Sequence, residues 1–272
     1  MKFKIGFSDN SSEKENFNLN EQRVNKADIP VKSLVQVRFP DKNMTLAYYN
    51  DSFDLHRGDL VFVDGKLEGL RGIVVDVSYN FKIKLSDYKR VIAVADTTLQ
   101  GELHMALSHF VTFDSSVLPY KKVLSWFKAP TEEEDEIIVC NGDSSFILDN
   151  LSDMKIGSQT ADRGYDYYMQ NKVVYICVDN THGRAIVTGS NPYEVEFTYQ
   201  NGEISNLICD CFCSYTCKHE FAAMLQLRET LKEIEKNYAD KLEESNYFAA
   251  ISKSALFKFC VDNQNTGSIT FK

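Results

Sequence analysis

Leu207-Ile208-Cys209-Asp210-Cys211-Phe212-Cys213-Ser214-Tyr215-Thr216-Cys217-Lys218-His219-Glu220-Phe221 changes its period half-way along. Upstream, Tyr193 through Tyr199 and then Ile204 to Ile208 read as extended chain. Downstream, Phe221, Met224, Leu225, Leu231 and Ile234 recur at helical spacing and make an apolar stripe. A strand therefore passes through a short loop into a helix. In a strand, residues i and i+2 share a face, so Cys209 and Cys211 can both turn toward one point. Residues two apart in a regular helix diverge by about 200°, so Cys217 and His219 converge only if they straddle the loop-to-helix junction. Thr216 reads as the helix N-cap. Cys217 then stands where a helix N-terminus favours a thiolate, and His219 can swing in from the first turn.

Four of the seven cysteines fall between positions 209 and 217, with a histidine just beyond. Zinc takes four soft or borderline ligands in a tetrahedron, and thiolates with an imidazole satisfy it. Cys209, Cys211, Cys217 and His219 are therefore the expected ligands of one Zn2+. Cys213 is the alternative ligand, but pairing it with Cys211 leaves only Ser214, Tyr215 and Thr216 to reverse the chain. Three thiolates and a histidine close the tetrahedron and carry too much negative charge to activate water well, so the expected metal is structural. Its binding is worth on the order of 10 kcal/mol to folding. Redox chemistry of the thioredoxin kind needs CxxC at a helix start beside a βαβ pattern, and neither occurs. Cys140, Cys177 and Cys260 lie in apolar surroundings and read as packing residues.

CxC on a strand, a short loop and CxH opening a helix resemble the SWIM zinc finger. The flanks are similar to that family as well: Arg163-Gly164-Tyr165, the strand Val173 to Val178, Ala185 to Ser190, Tyr193-Glu194-Val195, and Ala222 to Leu225 after Cys217-Lys218-His219. The resemblance covers roughly residues 160 to 228, and by it the same four residues are the zinc ligands. This chain departs from the pattern in its short loop and in Phe212-Cys213 after the second ligand. SWIM fingers accompany Snf-type helicases of bacteria, Mutator-like transposases and recombination accessory proteins. The resemblance thus implies binding to protein, to DNA, or to both, as an accessory of a nucleic-acid machine such as a helicase.

Outward from this centre, the expected class is α+β. Residues 1–30 read as an initial strand and a mobile segment, and 31–130 as a small antiparallel β-barrel-like domain with capping helices. Its strands are Val35 to Phe39, Leu46 to Tyr48, Leu60 to Val63, Gly72 to Val77, Phe81 to Leu85 and Tyr88 to Val94. Gly58-Asp59-Leu60-Val61-Phe62-Val63 followed by Gly72-Ile73-Val74-Val75 resembles the SH3-like barrels of bacterial DNA-replication accessory proteins, and no functional residue is carried over from it. Tyr48, Tyr49, Phe81, Lys82, Lys84, Tyr88, Lys89 and Arg90 could make a stacking and phosphate-contacting face, but a period-2 strand produces such a mixture by itself. Leu103, Ala106, Leu107 and Phe110 have helical spacing, and Trp126 is read as a core anchor. The acidic run Glu132 to Glu136 is the expected linker, 131–136. Ile137 to Cys140 and Phe146 to Leu148 read as strands around Asn141-Gly142-Asp143. The finger domain spans 137–242 and ends in a helix, and 243–272 is a C-terminal helical segment carrying Phe248, Ile251, Leu256 and Phe259.

Several function classes fall away. A net charge of -9 opposes grip on nucleic acid by electrostatics alone. The helix 218–242 alternates Lys218, Arg228, Lys232, Lys236 and Lys241 with many carboxylates, which puts a protein partner ahead of direct DNA contact. His219-Glu220 begins like a zinc-protease motif, but Ala223 stands where the second histidine belongs. There is no phosphate loop, no dinucleotide fingerprint and no nucleophile elbow. His104 and His109 share no helical face, and His56 and His182 fall in turns. An enzyme is not expected, nor is a small-molecule cofactor. No run of eighteen apolar residues and no signal peptide follow Met1, so the expected location is the cytoplasm, without membrane contact.

Overall fold

The computed structural model describes residues 3–5, 32–129, 145–261 and 267–272. Most of residues 1–30, the acidic run, Ile137 to Cys140 and the Asn141-Gly142-Asp143 turn lie outside the described residues. The chain divides between Ala95 and Asp96 into two units. The class is α+β, rich in sheet.

After a short first strand, β1 (Phe3–Ile5), the smaller unit forms one antiparallel sheet of five strands. These are β2 (Ser33–Phe39), β3 (Met44–Asn50), β4 (Leu60–Val63), β5 (Gly72–Ser78) and β6 (Val91–Ala95), in the order β3-β2-β5-β4-β6. Alternation sets the faces: Val35, Val37 and Phe39 of β2 point into a core with Tyr48, Leu55, Val61, Val63, Val74 and Val91. The sheet is not a closed barrel. Its outer strands meet only at an isolated bridge between Tyr49 and Arg90, where the Tyr49 amide donates to the Lys89 carbonyl at 2.8 Å. The strand expected at Phe81 to Leu85 does not form. Residues 79–84 run without regular structure into a single 3-10 turn at Leu85–Asp87, because no neighbouring strand accepts their backbone.

The larger unit contains β7 (Gln100–Ala106), β8 (His109–Thr112), α1 (Tyr120–Leu124), β9 (Phe146–Ile147), α2 (Ser158–Met169) and β10 (Val173–Asp179). It continues with β11 (His182–Thr188), β12 (Pro192–Gln200), β13 (Glu203–Cys209), α3 (Lys218–Ser245), β14 (Tyr247–Ser252), α4 (Lys253–Leu256), a π-helical turn at Phe257–Val261, and β15 (Ser268–Phe271). The sheet order is β1-β15-β7-β8-β14-β10-β11-β12-β13-β9. Two expectations are corrected. Leu103 to Phe110 is a hairpin of β7 and β8 rather than a helix, and 243–272 is not a helical segment, since Tyr247–Ser252 is a central strand between β10 and β8. All six residues of β14 are buried, so the strand lacks the alternation that would announce it.

Both faces of the central strands are covered. Ile176 and Val178 of β10 and Phe248 and Ala250 of β14 pack in one core with Met224, Leu227 and Ile234 of α3. On the opposite face, Tyr175 and Tyr247 donate hydrogen bonds to the Leu118 carbonyl at 2.8 and 3.4 Å. Trp126 is fully buried, and its indole N–H donates to the Asp96 carbonyl at 2.7 Å. Gly183 of β11 lies beneath the Phe197 ring of β12, where a Cβ would stand 1.9 Å from Cε2.

Candidate metal centre

The end of β13 positions the first ligand pair. Val195 pairs with Cys209, and the Asp210 amide donates to the Glu194 carbonyl at 3.0 Å, so the extended chain persists past the strand. Cys209 and Cys211 therefore turn inward while Asp210 turns out. The Asp210 carboxylate accepts the Glu194 amide at 2.9 Å and pairs with Lys128 at 3.1 Å. Lys128 also pairs with Glu194 at 2.7 Å, and Tyr120 donates to the same carboxylate at 2.6 Å. This polar network fixes the outer side of the ligand strand.

The second pair comes from the start of α3. The N-cap is Cys217 itself, not Thr216. Its sulfur accepts the Glu220 amide at 3.4 Å, and the Glu220 carboxylate accepts the Cys217 amide at 2.8 Å, completing a capping box. A sulfur replaces the usual hydroxyl oxygen, so the cap and the ligand are one atom. Gly164 lets α2 lie against this turn: a Cβ there would stand 2.9 Å from the Lys218 carbonyl oxygen and from Phe221. That is a physical role for one of the glycines in the flanking pattern.

The four residues converge. Single ligand atoms of Cys209, Cys211, Cys217 and His219 all lie within 4.8 Å of one another, and this cluster could hold a metal ion. His219 Nδ1 lies 3.6 Å from Cys209 Sγ and 3.8 Å from Cys217 Sγ. With bonds of about 2.3 Å to sulfur and about 2.05 Å to nitrogen, a tetrahedron has sulfur-to-nitrogen edges of about 3.6 Å. The two edges from His219 Nδ1 to Cys209 and Cys217 match such a site. Cys213 is exposed and outside the cluster, which leaves the alternative pairing unsupported.

The local electrostatics fit a cation. The hydrogen bond from Cys209, then contacts with His219 and the Glu220 amide, lower the Cys217 thiol to about 4. The same hydrogen bond to Cys217, together with burial, pushes Cys209 well up. Burial and then the nearby Cys217 raise Glu220 to about 7. A divalent ion bound here would hold these thiols as thiolates. The His219 ring stacks on Tyr193 with centroids 4.1 Å apart at 18°, and Tyr167 stands 5.5 Å away. His219 Nε2 is buried and finds no hydrogen-bond partner among the described residues, so ring stacking holds its orientation in place of the usual outer acceptor.

Sequence reasoning missed Glu220, Tyr193, Tyr167 and Lys128. Glu220 was accessible, three residues after a cap at a helix start; the others come from distant elements. The remaining histidines separate by burial. His56 and His182 are exposed, whereas His104 and His109 are buried in the β7–β8 hairpin. Cys177 and Cys260 are buried, and burial raises them to about 11 and about 12, as expected of packing thiols; Cys140 lies outside the described residues. Among the described residues no helix is long and apolar enough to cross a membrane. No protein-family model, curated protein or solved structure matches this chain.

Proposed function

We propose that Cys209, Cys211, Cys217 and His219 hold one structural zinc ion in a SWIM-type finger, and that the protein is a cytoplasmic, non-enzymatic adaptor docking on a protein partner. The observation that carries the docking is a pair of aromatic rings. Phe212 and Tyr215 are 103% and 88% exposed, on a loop with metal-site residues at both ends. Exposed rings of this size are unfavourable in water unless a partner covers them, and aromatic side chains dominate the energetics of interfaces. A loop tied at both ends loses little further freedom on docking. The metal supplies fixed geometry, and a set of four ligands leaves no position for a reacting water. On α3, Arg228 and Lys232 are engaged with Glu229, which supports a protein partner over a groove-reading helix. By the resemblance, that partner is a helicase or other DNA-processing protein.

The test is affinity purification with three chains. Wild type should contain about one zinc and retain a partner. Phe212→Ala with Tyr215→Ala should keep the zinc and lose the partner. Cys217→Ser should lose both. A double variant that retains the same partner refutes the docking surface, and zinc near zero in wild type refutes the metal.

A further inference from the structure

Residues 79–90, between β5 and β6, read Tyr-Asn-Phe-Lys-Ile-Lys-Leu-Ser-Asp-Tyr-Lys-Arg, with four cations against one carboxylate in a chain whose net charge is -9. Strand alternation would explain that mixture, with aromatic residues turned inward and lysines turned out. Residues 79–84 belong to no strand, yet Phe81 and Ile83 are half-buried while Lys82 and Lys84 are exposed, so the cations stand on the outer side of an unpaired segment. Tyr79 is 56% exposed, and Lys82, Lys84 and Lys89 are exposed and make no ion pair among the described residues. The Lys89 stem lies over Gly65, where a Cβ would come within 3.1 Å of Cε, so its methylenes are packed while the residue stays exposed.

The segment is anchored as well as charged. Phe81 meets the edge of the Tyr49 ring at 6.3 Å and 74°, and the Arg90 guanidinium lies 5.6 Å from the same ring centroid. Asp51 pairs with Arg90, Asp64 accepts the Arg90 amide at 2.7 Å, and Asp87 accepts Ser86 at 3.1 Å. What remains is three exposed lysines interleaved in sequence with the exposed Tyr79 and the half-buried Phe81 and Tyr88. Exposed cations with interleaved rings suit phosphates alternating with unpaired bases. No α-helix occurs among residues 32–95, so no recognition helix there reads a major groove.

The geometry points to residues 79–90 as a contact face for single-stranded nucleic acid, with Lys82, Lys84 and Lys89 on phosphates and Tyr79 stacking on a base. It goes beyond the protein-docking reading of the finger loop and uses none of its residues.

The test is fluorescence anisotropy of the full-length protein with a labelled oligothymidylate of about 15 nucleotides, at 50 and 200 mM salt. Binding is expected at 50 mM, weakening steeply with salt. Replacing Lys82, Lys84 and Lys89 together by Ala should weaken it at least tenfold and reduce the logarithmic salt slope by about 2, at about 0.7 per phosphate contact on a single strand. Tyr79→Ala should weaken it on the order of tenfold with the salt slope unchanged. All four side chains are exposed, so thermal melts by circular dichroism should coincide with wild type. An oligouridylate of the same length distinguishes RNA from DNA as the source, and tighter binding of either supports the face. No binding of either strand at 50 mM salt, equal affinity in the triple variant, or a duplex bound as tightly as the single strand overturns it.

Discussion

His109 gives the larger unit a measurable acid sensitivity. Its ring is fully buried, with Nε2 2.8 Å from the Val173 carbonyl and Nδ1 2.9 Å from Ser108 Oγ. The carbonyl can only accept, so Nε2 carries the hydrogen and Nδ1 accepts from the serine. This neutral tautomer uses both nitrogens, and burial lowers the group from 6.5 to about 4. Between those values the unfolded chain binds a proton that the folded chain refuses, so stability is complete above pH 6.5 and falls as pH drops toward 4. The linkage amounts to about 2 kcal/mol by pH 5 and about 3 kcal/mol by pH 4. Trp126 is the only tryptophan and lies in the same unit, so its fluorescence reports the relevant unfolding. Urea denaturation at half-unit pH steps, on wild type and His109→Gln, gives the two profiles. The variant should lose about 1 to 2 kcal/mol at pH 7.5 from imperfect hydrogen bonding, yet fall by about 2 to 3 kcal/mol less between pH 6.5 and 4. His104, which burial also lowers, contributes equally to both chains and cancels in the difference. Parallel profiles would refute the assignment of a buried neutral imidazole.

Three further outcomes are expected. Gly183→Ala should destabilise the larger unit by about 1 to 3 kcal/mol, because the Phe197 ring must move off the strand; a urea midpoint shift reads it. Leu107 turns the β7–β8 hairpin at φ +50 and is 58% exposed, so Leu107→Asn should stabilise by about 0.5 to 1 kcal/mol in the same assay. Cys213→Ser should leave zinc stoichiometry near one by elemental analysis, whereas Cys211→Ser should reduce it well below one.

The Cys/His cluster is legible in the sequence because it is local. Its ligands lie within a short span, and the switch from strand to helix follows from period alone. Its supports are not, since Tyr193, Tyr167 and Lys128 arrive from other elements. The two strands of the first hairpin were mistaken for a helix for a related reason. Leu107 occupies a left-handed turn position where asparagine or glycine would have given the signal. In β14, burial on both faces erased the alternation, and Phe248 and Ile251 then matched a helical spacing by accident. Phe81 to Leu85 failed in the opposite sense: it alternates, yet no neighbouring strand receives it. Pattern reports which residues avoid water, and pairing depends on what the rest of the chain brings alongside.

The position of β14 also sets a schedule for synthesis. The strand lies between β8 and β10, yet the ribosome delivers it after everything from β2 to α3. Until Tyr247–Ser252 emerges, the β7–β8 pair and the ribbon from β10 to β9 stay separate, each with a bare edge ready to pair wrongly. The segment that closes this gap follows directly on the 28-residue helix whose first turn carries His219. The larger sheet therefore waits for a strand that leaves the ribosome only after the whole of that helix has been made.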